Sequence, residues 1–160
     1  MPASLTLTPL SPADFPRVAH IRVSDPQARF SGTVQQALET ARPAMDFHAI
    51  LLDSHPVGFF RIDRAYAEHH WFARKNEPGL MSFQIDLPHQ NRGIGTASIR
   101  ALDGYLQQIY PEIPSIVLTA NMANRPALRT YRSGGFTDTG EIWEDGLTGP
   151  QLVMRMTLKG

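Results

Sequence analysis

The 160-residue sequence contains no cysteine, so disulfide bonds, thiolate metal sites and a cysteine nucleophile are excluded. It has no excess charge of either sign, because 15 Lys and Arg residues balance 15 Asp and Glu residues. This balance argues against a protein that binds nucleic acid mainly through electrostatics. No apolar stretch approaches the roughly 20 residues that cross a bilayer, and no basic, apolar leader begins the chain. We therefore expect a cytoplasmic protein without nucleic-acid or membrane partners.

The length fits a single domain over residues 1–160 with one sizeable core, and no repeat or linker divides it. Strand-like and helix-like segments interleave along the chain, which predicts an α/β or α+β fold with a mixed sheet covered on both faces. We predict strands at residues 5–8, 47–53, 57–64, 80–87, 115–120, 136–143 and 152–158, and helices at residues 12–22, 33–41, 94–109 and 124–133. Residues 24–32 are predicted as a loop, and residues 66–79 either extend a hairpin or cover a site.

The segment at residues 80–101 organises the rest of the chain, since it combines a strand, a polar turn and the start of a helix. Its strand alternates, with one face formed by Met81, Phe83, Ile85 and Leu87 and the other by Ser82, Gln84 and Asp86. Pro88 helps to end the strand, because proline has no N–H to donate to a sheet. The helical face that follows is predicted to comprise Ile94, Ala97, Ala101, Leu102, Tyr105, Leu106 and Ile109.

The turn between this strand and helix has the chemistry of an anion site. N–H groups in the first turn of a helix have no internal partner, and the helix dipole adds partial positive charge. Gly93 and Gly95 allow close approach of a ligand to the backbone, while Arg92 and Thr96 add a cation and a hydroxyl donor. These features suit a diphosphate. The alternative is that the glycines serve only the turn.

Two motif blocks carry a resemblance to a known family. Residues 90–95, Gln-Asn-Arg-Gly-Ile-Gly, match the Gln/Arg-x-x-Gly-x-Gly/Ala motif of the GCN5-related N-acetyltransferase (GNAT) family, which this chain resembles in element order over nearly its whole length. The second block comprises Asn121, Asn124, Ala127, Tyr131, Gly135 and Phe136. The resemblance implies a single-domain, mostly antiparallel mixed sheet of six to seven strands, flanked by about four helices, with splayed central strands.

The same resemblance implies acetyl-CoA as the cofactor, with no metal. Gln90 and Asn91 open the motif, and Asn tolerates the left-handed backbone that many family members supply with Gly. The diphosphate is expected on the backbone N–H groups of Arg92, Gly93, Ile94, Gly95 and Thr96.

The pantetheine arm is expected to pair like an added strand with the backbone of Phe83, Ile85 and Leu87, while Asn121 and Asn124 bond it and Ala127 leaves it room. By resemblance, Tyr131 is the catalytic residue that protonates or stabilises the leaving thiolate, since a phenol and a thiol have similar pKa values, about 10 and about 8.5. The alternative is that Tyr131 has only a structural role and packs in the core.

The general base stays open at this point. Ser82, Gln84 and Asp86 could order a water chain, and Glu68, His69, His70 and Glu77 could reach the cleft, or no dedicated base is needed. The expected acceptor is a primary amine of a small molecule or peptide. Aromatic and acidic residues that would suit a cationic amine are Phe30, Phe59, Phe60, Tyr66, Trp71, Phe72, Trp143, Glu68, Glu77, Glu141, Glu144 and Asp145. The tail, from Gly140 to Met156, weakly resembles polyamine and aminoglycoside acetyltransferases.

Two other functional classes compete with this interpretation. A catalytically silent domain that binds or senses acyl-CoA would share the same turn, although Tyr131 argues against it. A dinucleotide-binding module is disfavoured, because Ser98 stands where the third glycine of that motif belongs. An exposed strand end could support a homodimer.

Overall fold

The computed structural model describes residues 4–146 and 148–159, so residues 1–3, 147 and 160 of the predicted domain lie outside the described part. A seven-stranded sheet in the order β1-β2-β3-β4-β5-β7-β6 is packed with four α-helices. The strands are β1 (Leu5–Leu10), β2 (Met45–Leu52), β3 (His55–Asp63), β4 (Gly79–Ile85), β5 (Ser115–Asn121), β6 (Thr137–Trp143) and β7 (Gln151–Thr157). The helices are α1 (Asp25–Ser31), α2 (Val34–Glu39), α3 (Ile94–Ile109) and α4 (Arg125–Gly134), and 3₁₀ turns cover Pro12–Val18, Tyr66–Glu68 and Leu87–His89. The predicted fold class is confirmed.

Strands β4 and β5 form the only parallel pair of the described sheet, and they touch at one end alone. Gly79 stands opposite Val117, whose N–H donates to the Pro78 carbonyl at 3.2 Å, and no further residues pair. Strand β5 instead pairs along its whole length with β7. The two central strands therefore diverge beyond Gly79, as the predicted splay requires.

A β-bulge interrupts β4 and changes which side chains share a face. Ser82 has a φ of 61°, and both Ser82 and Phe83 stand opposite Phe60 of β3. An extra residue reverses the alternation of the strand. Phe83 packs with the core beneath α3, whereas Met81 packs on the opposite cluster with Phe72. The prediction that Met81 shares a face with Phe83 is therefore wrong.

Helix α1 lies within residues 24–32, which the sequence predicted to be a loop. Ser24 and Gln27 form a capping box: the Ser24 N–H donates to the Gln27 side chain at 3.0 Å, and the Ser24 hydroxyl accepts from the Gln27 N–H. Gly32, with a φ of 73°, ends the helix. The Asp-Pro pair and the glycine favoured a loop, but the Ser-x-x-Gln signal was present and shows the helix start.

The two faces of the sheet carry separate hydrophobic clusters. Helix α3 buries Ile94, Ile99, Leu102 and Leu106 on one face, while its predicted inward residues Ala97 and Ala101 are exposed. The stripe follows i, i+4 spacing, which places these alanines toward solvent.

On the other face of the sheet, Val34 and Ala37 of α2 pack against Phe47 and Phe59. This second cluster also includes Val18 and therefore lies beneath α2 and the 3₁₀ turn Pro12–Val18. None of the described helices is long and apolar enough to cross a membrane.

Candidate active site

A cleft of about 510 Å³ fills the gap between the diverging strands β4 and β5. The start of α3 and α4 borders it on one side, and α1, β3 and the end of β6 border it on the other. Because the strands do not pair here, the β4 backbone faces the cleft with one edge free. Eleven of the predicted site residues line the cleft, namely Phe83, Ile85, Gln90, Asn91, Gly93, Gly95, Thr96, Asn121, Asn124, Ala127 and Tyr131.

The turn that begins α3 has the geometry of an anion site. Asn91 and Gly93 both adopt left-handed backbone, with φ values of 63° and 79°. The first bond inside the helix runs from the Ala97 N–H to the Gly93 carbonyl at 3.0 Å, so the N–H groups of residues 94–96 have no partner in the helix. A Cβ placed on Gly93 would meet no atom within 4 Å, so open space adjoins these donors. A diphosphate fits this arrangement.

Three predicted residues do not line the cleft with their side chains. Arg92 is exposed and the Ile94 side chain is buried, and the roles predicted for both concern their backbone N–H groups. Leu87 differs, because β4 ends at Ile85 and places Leu87 in a 3₁₀ turn. Its N–H donates to the Arg22 carbonyl at 2.8 Å, and its side chain is 51% exposed. We therefore remove Leu87 from the set of cofactor-binding candidates.

Gln90 fastens the end of β4 to helix α1. Its Nε2 donates to the Ile85 carbonyl at 2.8 Å, and its amide exchanges two hydrogen bonds with the Gln27 amide at 2.9 and 3.0 Å. The first motif residue thus positions the entrance to the anion site through its side chain. Its partner on α1 could not be anticipated while residues 24–32 were predicted as a loop.

The two asparagines before α4 have different surroundings. Asn121 is buried, and its side chain donates to the Thr148 carbonyl at 2.6 Å and accepts from the Ala123 N–H at 2.8 Å. Asn124 precedes the helix without a side-chain capping bond and lines the cleft. Of the two predicted ligand-binding amides, only Asn124 has free hydrogen-bonding groups.

Tyr131 projects from α4 into the cleft. Its ring packs edge-on against Phe83 and Phe136, at centroid distances of 6.0 and 5.9 Å. No other described residue hydrogen-bonds to its hydroxyl group. Burial raises the pKa of Tyr131 to about 12, so the phenol keeps its proton at neutral pH. A protonated phenol at this position has the chemistry of a proton donor.

Comparison with known proteins shows the family of this chain. The sequence matches the acetyltransferase (GNAT) family over residues 15–136. The chain belongs to the GNAT family. No curated protein matches the sequence.

Solved GNAT structures share the fold at low sequence identity. Aminoglycoside acetyltransferase AAC(6')-Ib in complex with coenzyme A is 21% identical, with a TM-score of 0.77 and coverage of 96% of this chain and 95% of that one. The ribosomal-protein-S18-alanine N-acetyltransferase of Escherichia coli is 16% identical, with a TM-score of 0.66 and coverage of 98% and 96%. The GNAT domain of S. lividans PAT is 16% identical, with a TM-score of 0.71 and coverage of 95% and 89%.

The acidic residues expected to face the acceptor in this GNAT cleft lie elsewhere. Among the described residues that line the cleft, none is Asp or Glu. Glu77 is buried and pairs with Arg155 at 2.7 Å and with the Ser115 hydroxyl. Asp86, which was predicted only as part of a water chain for the general base, accepts from the Arg22 N–H at 2.9 Å and does not line the cleft either. The prediction that aromatic walls combine with acids is wrong in its acidic part.

The aromatic part of that prediction holds for three side chains. Phe30, Tyr66 and Trp143 line the cleft, whereas Phe59 and Phe60 are fully buried in the core. Of the predicted base candidates in residues 66–79, only His70 lines the cleft; it stacks on Tyr66 at 3.7 Å and bonds the Tyr66 carbonyl through Nδ1 at 2.9 Å. Among the described side chains no group of three or more His, Asp or Glu could hold a metal ion.

Arg61 is a cleft residue that the sequence analysis missed. It lies on β3, is only 7% exposed, and lines the cleft on the side formed by α1, β3 and the end of β6, which we propose as the acceptor side. Its Nε donates to the Ser82 hydroxyl at 2.9 Å, and its Nη1 donates to the Thr40 hydroxyl at 3.0 Å. The signal that could have revealed Arg61 is its place as the one charged residue in the otherwise apolar run of residues 57–62.

Proposed function

We propose that this chain is an acetyl-CoA-dependent N-acetyltransferase that acts on a primary amine of a small molecule or peptide, by direct transfer in a ternary complex. One observation carries the proposal: the unpaired N–H groups at the start of α3 and the unbonded Tyr131 hydroxyl open into the same cleft. A cleft that combines an anion site with a proton donor suits a phosphate-containing thioester. A cytoplasmic location remains a prediction from the sequence, as does a homodimer.

The residues present fit the cofactor along its length. The backbone N–H groups of residues 92–96 would hold the diphosphate, with Gly93 leaving the space beside them open. The edge of β4 at Phe83 and Ile85, which no neighbouring strand covers, would bond the pantetheine arm as an added strand would, with the Ile85 carbonyl shared with Gln90. The Asn124 amide is available to the same arm, and Ala127 borders the cleft with a small side chain. When bound, acetyl-CoA supplies the activated acetyl group.

Tyr131 would hold a proton at its phenol oxygen, within the cleft that would receive the thiol end of the arm. Its raised pKa keeps the phenol protonated at neutral pH, so its hydroxyl group would donate a hydrogen bond that stabilises the leaving thiolate. No carboxylate lines the described part of the cleft, and the ring of the base candidate His70 is bonded to the Tyr66 carbonyl and stacked on the Tyr66 ring, so we assign no side chain as general base. The amine would enter neutral and lose its proton to water.

The test is a thiol-release assay with acetyl-CoA and a broad panel of amines, followed by calorimetry with coenzyme A and NAD. We expect amine-dependent release of coenzyme A, measurable coenzyme A binding and negligible NAD binding. Tight coenzyme A binding without turnover across the panel would instead favour an acyl-CoA-binding sensor. Binding of NAD but not coenzyme A would contradict both.

A further inference from the structure

The acceptor side of the cleft contains a buried cation with no anionic partner. Arg61 forms no ion pair among the described residues. Its three recorded oxygen partners are uncharged, and they are the Ser82 hydroxyl, the Thr40 hydroxyl and the Ala37 carbonyl. Asp63 acts on it only through space, because that carboxylate pairs with Arg42 at 3.4 Å. The Arg61 Nη2 has no recorded partner, although the residue lines the cleft.

Burying a guanidinium without an anionic partner costs free energy, and an anion that pairs with it offsets this cost. The partly buried Arg155 shows the usual arrangement, since it pairs with the buried Glu77 through both Nε and Nη2, at 2.7 and 3.0 Å. No Asp or Glu lines the described cleft, so its fixed charge is positive. A ligand carboxylate would form an ion pair with Arg61, whereas the positive charge of Arg61 would repel a polycationic amine.

A second unpaired group lies next to Arg61 in the chain's hydrogen-bond network. Gln84 is 4% exposed, lines the cleft, and has a side-chain oxygen with no partner. Its Nε2 donates to the Ser82 carbonyl at 3.1 Å, while Arg61 bonds the hydroxyl of the same Ser82. Ser82, at the bulge, therefore bonds both side chains. Each of them keeps one polar group without a partner, which is the Nη2 of Arg61 and the side-chain oxygen of Gln84. An oxygen acceptor of this kind suits an amine N–H.

We infer that the acceptor is a primary amine that also carries a carboxylate, as in an amino acid, with the carboxylate on Arg61 and the amine directed by the Gln84 oxygen. Phe30 and Trp143 border the same space and suit an apolar side chain on that acceptor. The inference rests on the proposed function. In the reaction the amine nitrogen forms the C–N bond as the C–S bond breaks, and the proton lost from nitrogen balances the proton gained by the thiol.

The first experiment compares matched amines with the wild-type protein. Phenylalanine is compared with phenethylamine and phenylalanine amide, and leucine with isoamylamine, each at equal concentration of unprotonated amine. We expect kcat/KM to be about 10-fold or more higher for the carboxylated member of each pair. Equal or better turnover of the uncarboxylated amines, or of spermidine, overturns this inference while the proposed function stands. Absence of turnover with every amine contradicts both.

The second experiment changes Arg61. In Arg61→Gln we expect the preference for phenylalanine over phenethylamine to fall by about 10-fold or more, through a higher KM for phenylalanine. Arg61→Lys keeps the charge and should restore part of the preference. The matched control is Arg64→Gln. Arg64 is an exposed arginine just beyond the end of β3, and its substitution should leave the preference unchanged.

Arg61 also bonds Thr40 and Ala37, so the substitution alters packing as well as recognition. The preference ratio is measured within one preparation and does not depend on the amount of folded protein. Coenzyme A affinity, measured by calorimetry on the same preparations, should stay within about two-fold of wild type, since Arg61 lies on the acceptor side. An unchanged preference in Arg61→Gln would overturn the inference.

Discussion

The junction of β4 and β5 has a closed end, where Gly79 pairs with Val117, and an open end, where the strands diverge around the cleft. Polar groups are hydrogen-bonded within the chain at the closed end, and several lack a partner at the open end. At the closed end, Glu77 accepts from Arg155 and Ser115, and Gly79 stands opposite Val117. At the open end, Tyr131, Gln84 and Arg61 and the first N–H groups of α3 all have unbonded polar atoms. Polar groups that are hydrogen-bonded within the chain hold the two strands together, and the polar groups without a partner lie where we propose that ligands bind.

Side chains also pack tightly against the backbone at the closed end. A Cβ on Gly79 would lie only 2.2 Å from the Tyr66 ring, so glycine alone lets that ring seal the junction. Tyr66 in turn stacks on His70, which borders the cleft. The contact between Gly79 and Tyr66 therefore marks where β4 and β5 begin to diverge, and the cleft begins at the next side chain, His70. An unsatisfied buried polar group costs about 1–3 kcal/mol, so stability is concentrated at the closed end.

The largest effect should come from breaking the ion pair at the closed end. Glu77→Leu leaves Arg155 buried without a carboxylate, and we expect the free energy of unfolding to fall by about 3–5 kcal/mol. Denaturant-induced unfolding, followed by circular dichroism, measures this. The double variant Glu77→Leu/Arg155→Met removes both charges and should recover most of the loss.

The pH dependence of unfolding provides an independent check on this ion pair. Burial raises the pKa of Glu77, but hydrogen bonds from Arg155, Ser115 and the Arg74 backbone outweigh it, and the net pKa lies below its ordinary value of 4.5. The folded pKa is thus lower than the unfolded one, so the stabilisation is present above pH 4.5 and is lost as pH falls through the folded value. Glu77→Gln should lack this part of the acid dependence. Identical acid dependence in both proteins would show that the pair does not hold the closed end.

At the open end, Gly93→Glu should have the next largest effect. It introduces a negative charge into the space beside the unpaired N–H groups, where like charges cost several kcal/mol, so we expect coenzyme A affinity to fall on the order of 1000-fold. Gly93→Asn is the matched control, because Asn accepts the left-handed φ of 79° without adding charge. Calorimetry measures both. Equal affinity in the two variants would place the diphosphate elsewhere.

The sequence predicted the cofactor side of the site better than the acceptor side, for a physical reason. The anion site depends on backbone geometry within one short segment, and Asn91, Gly93 and the start of α3 signal that geometry locally. The acceptor side is assembled from α1, β3 and β6, whose residues meet only in the fold. Arg61 and the Gln27 partner of Gln90 were missed for this reason.

The β4 bulge limited the prediction in a different way. Period-2 alternation assumes a regular strand, and the extra residue at Ser82 cannot be seen in a pattern of apolar and polar residues. It moved Met81 to the opposite face and placed Gln84 against the cleft. Glu77 and Asp86 were open base candidates because of their position along the chain, but in the fold Glu77 accepts from Ser115 and Asp86 accepts from the Arg22 N–H.

Tyr131→Phe tests whether an unbonded group at the open end does chemistry. The substitution keeps the ring contacts with Phe83 and Phe136 and removes only the hydroxyl group. We expect kcat to fall on the order of 100-fold, with a smaller change in the acetyl-CoA KM, as for loss of a general acid. Steady-state kinetics with the best amine of the panel measures the split. An unchanged kcat would make Tyr131 a packing residue.

The smallest effect is expected at Asn91, where the open end stores strain in its backbone. Its φ of 63° is costly for a residue with a Cβ, and Asn tolerates it better than Ala does. Asn91→Ala should therefore lower the free energy of unfolding by about 1 kcal/mol, while Asn91→Gly should change it by no more than about 0.5 kcal/mol. Both are measured by the same denaturant unfolding used for Glu77. If Ala and Gly behave alike, the left-handed turn is not strained, and the contrast between the two ends rests on unbonded polar groups alone.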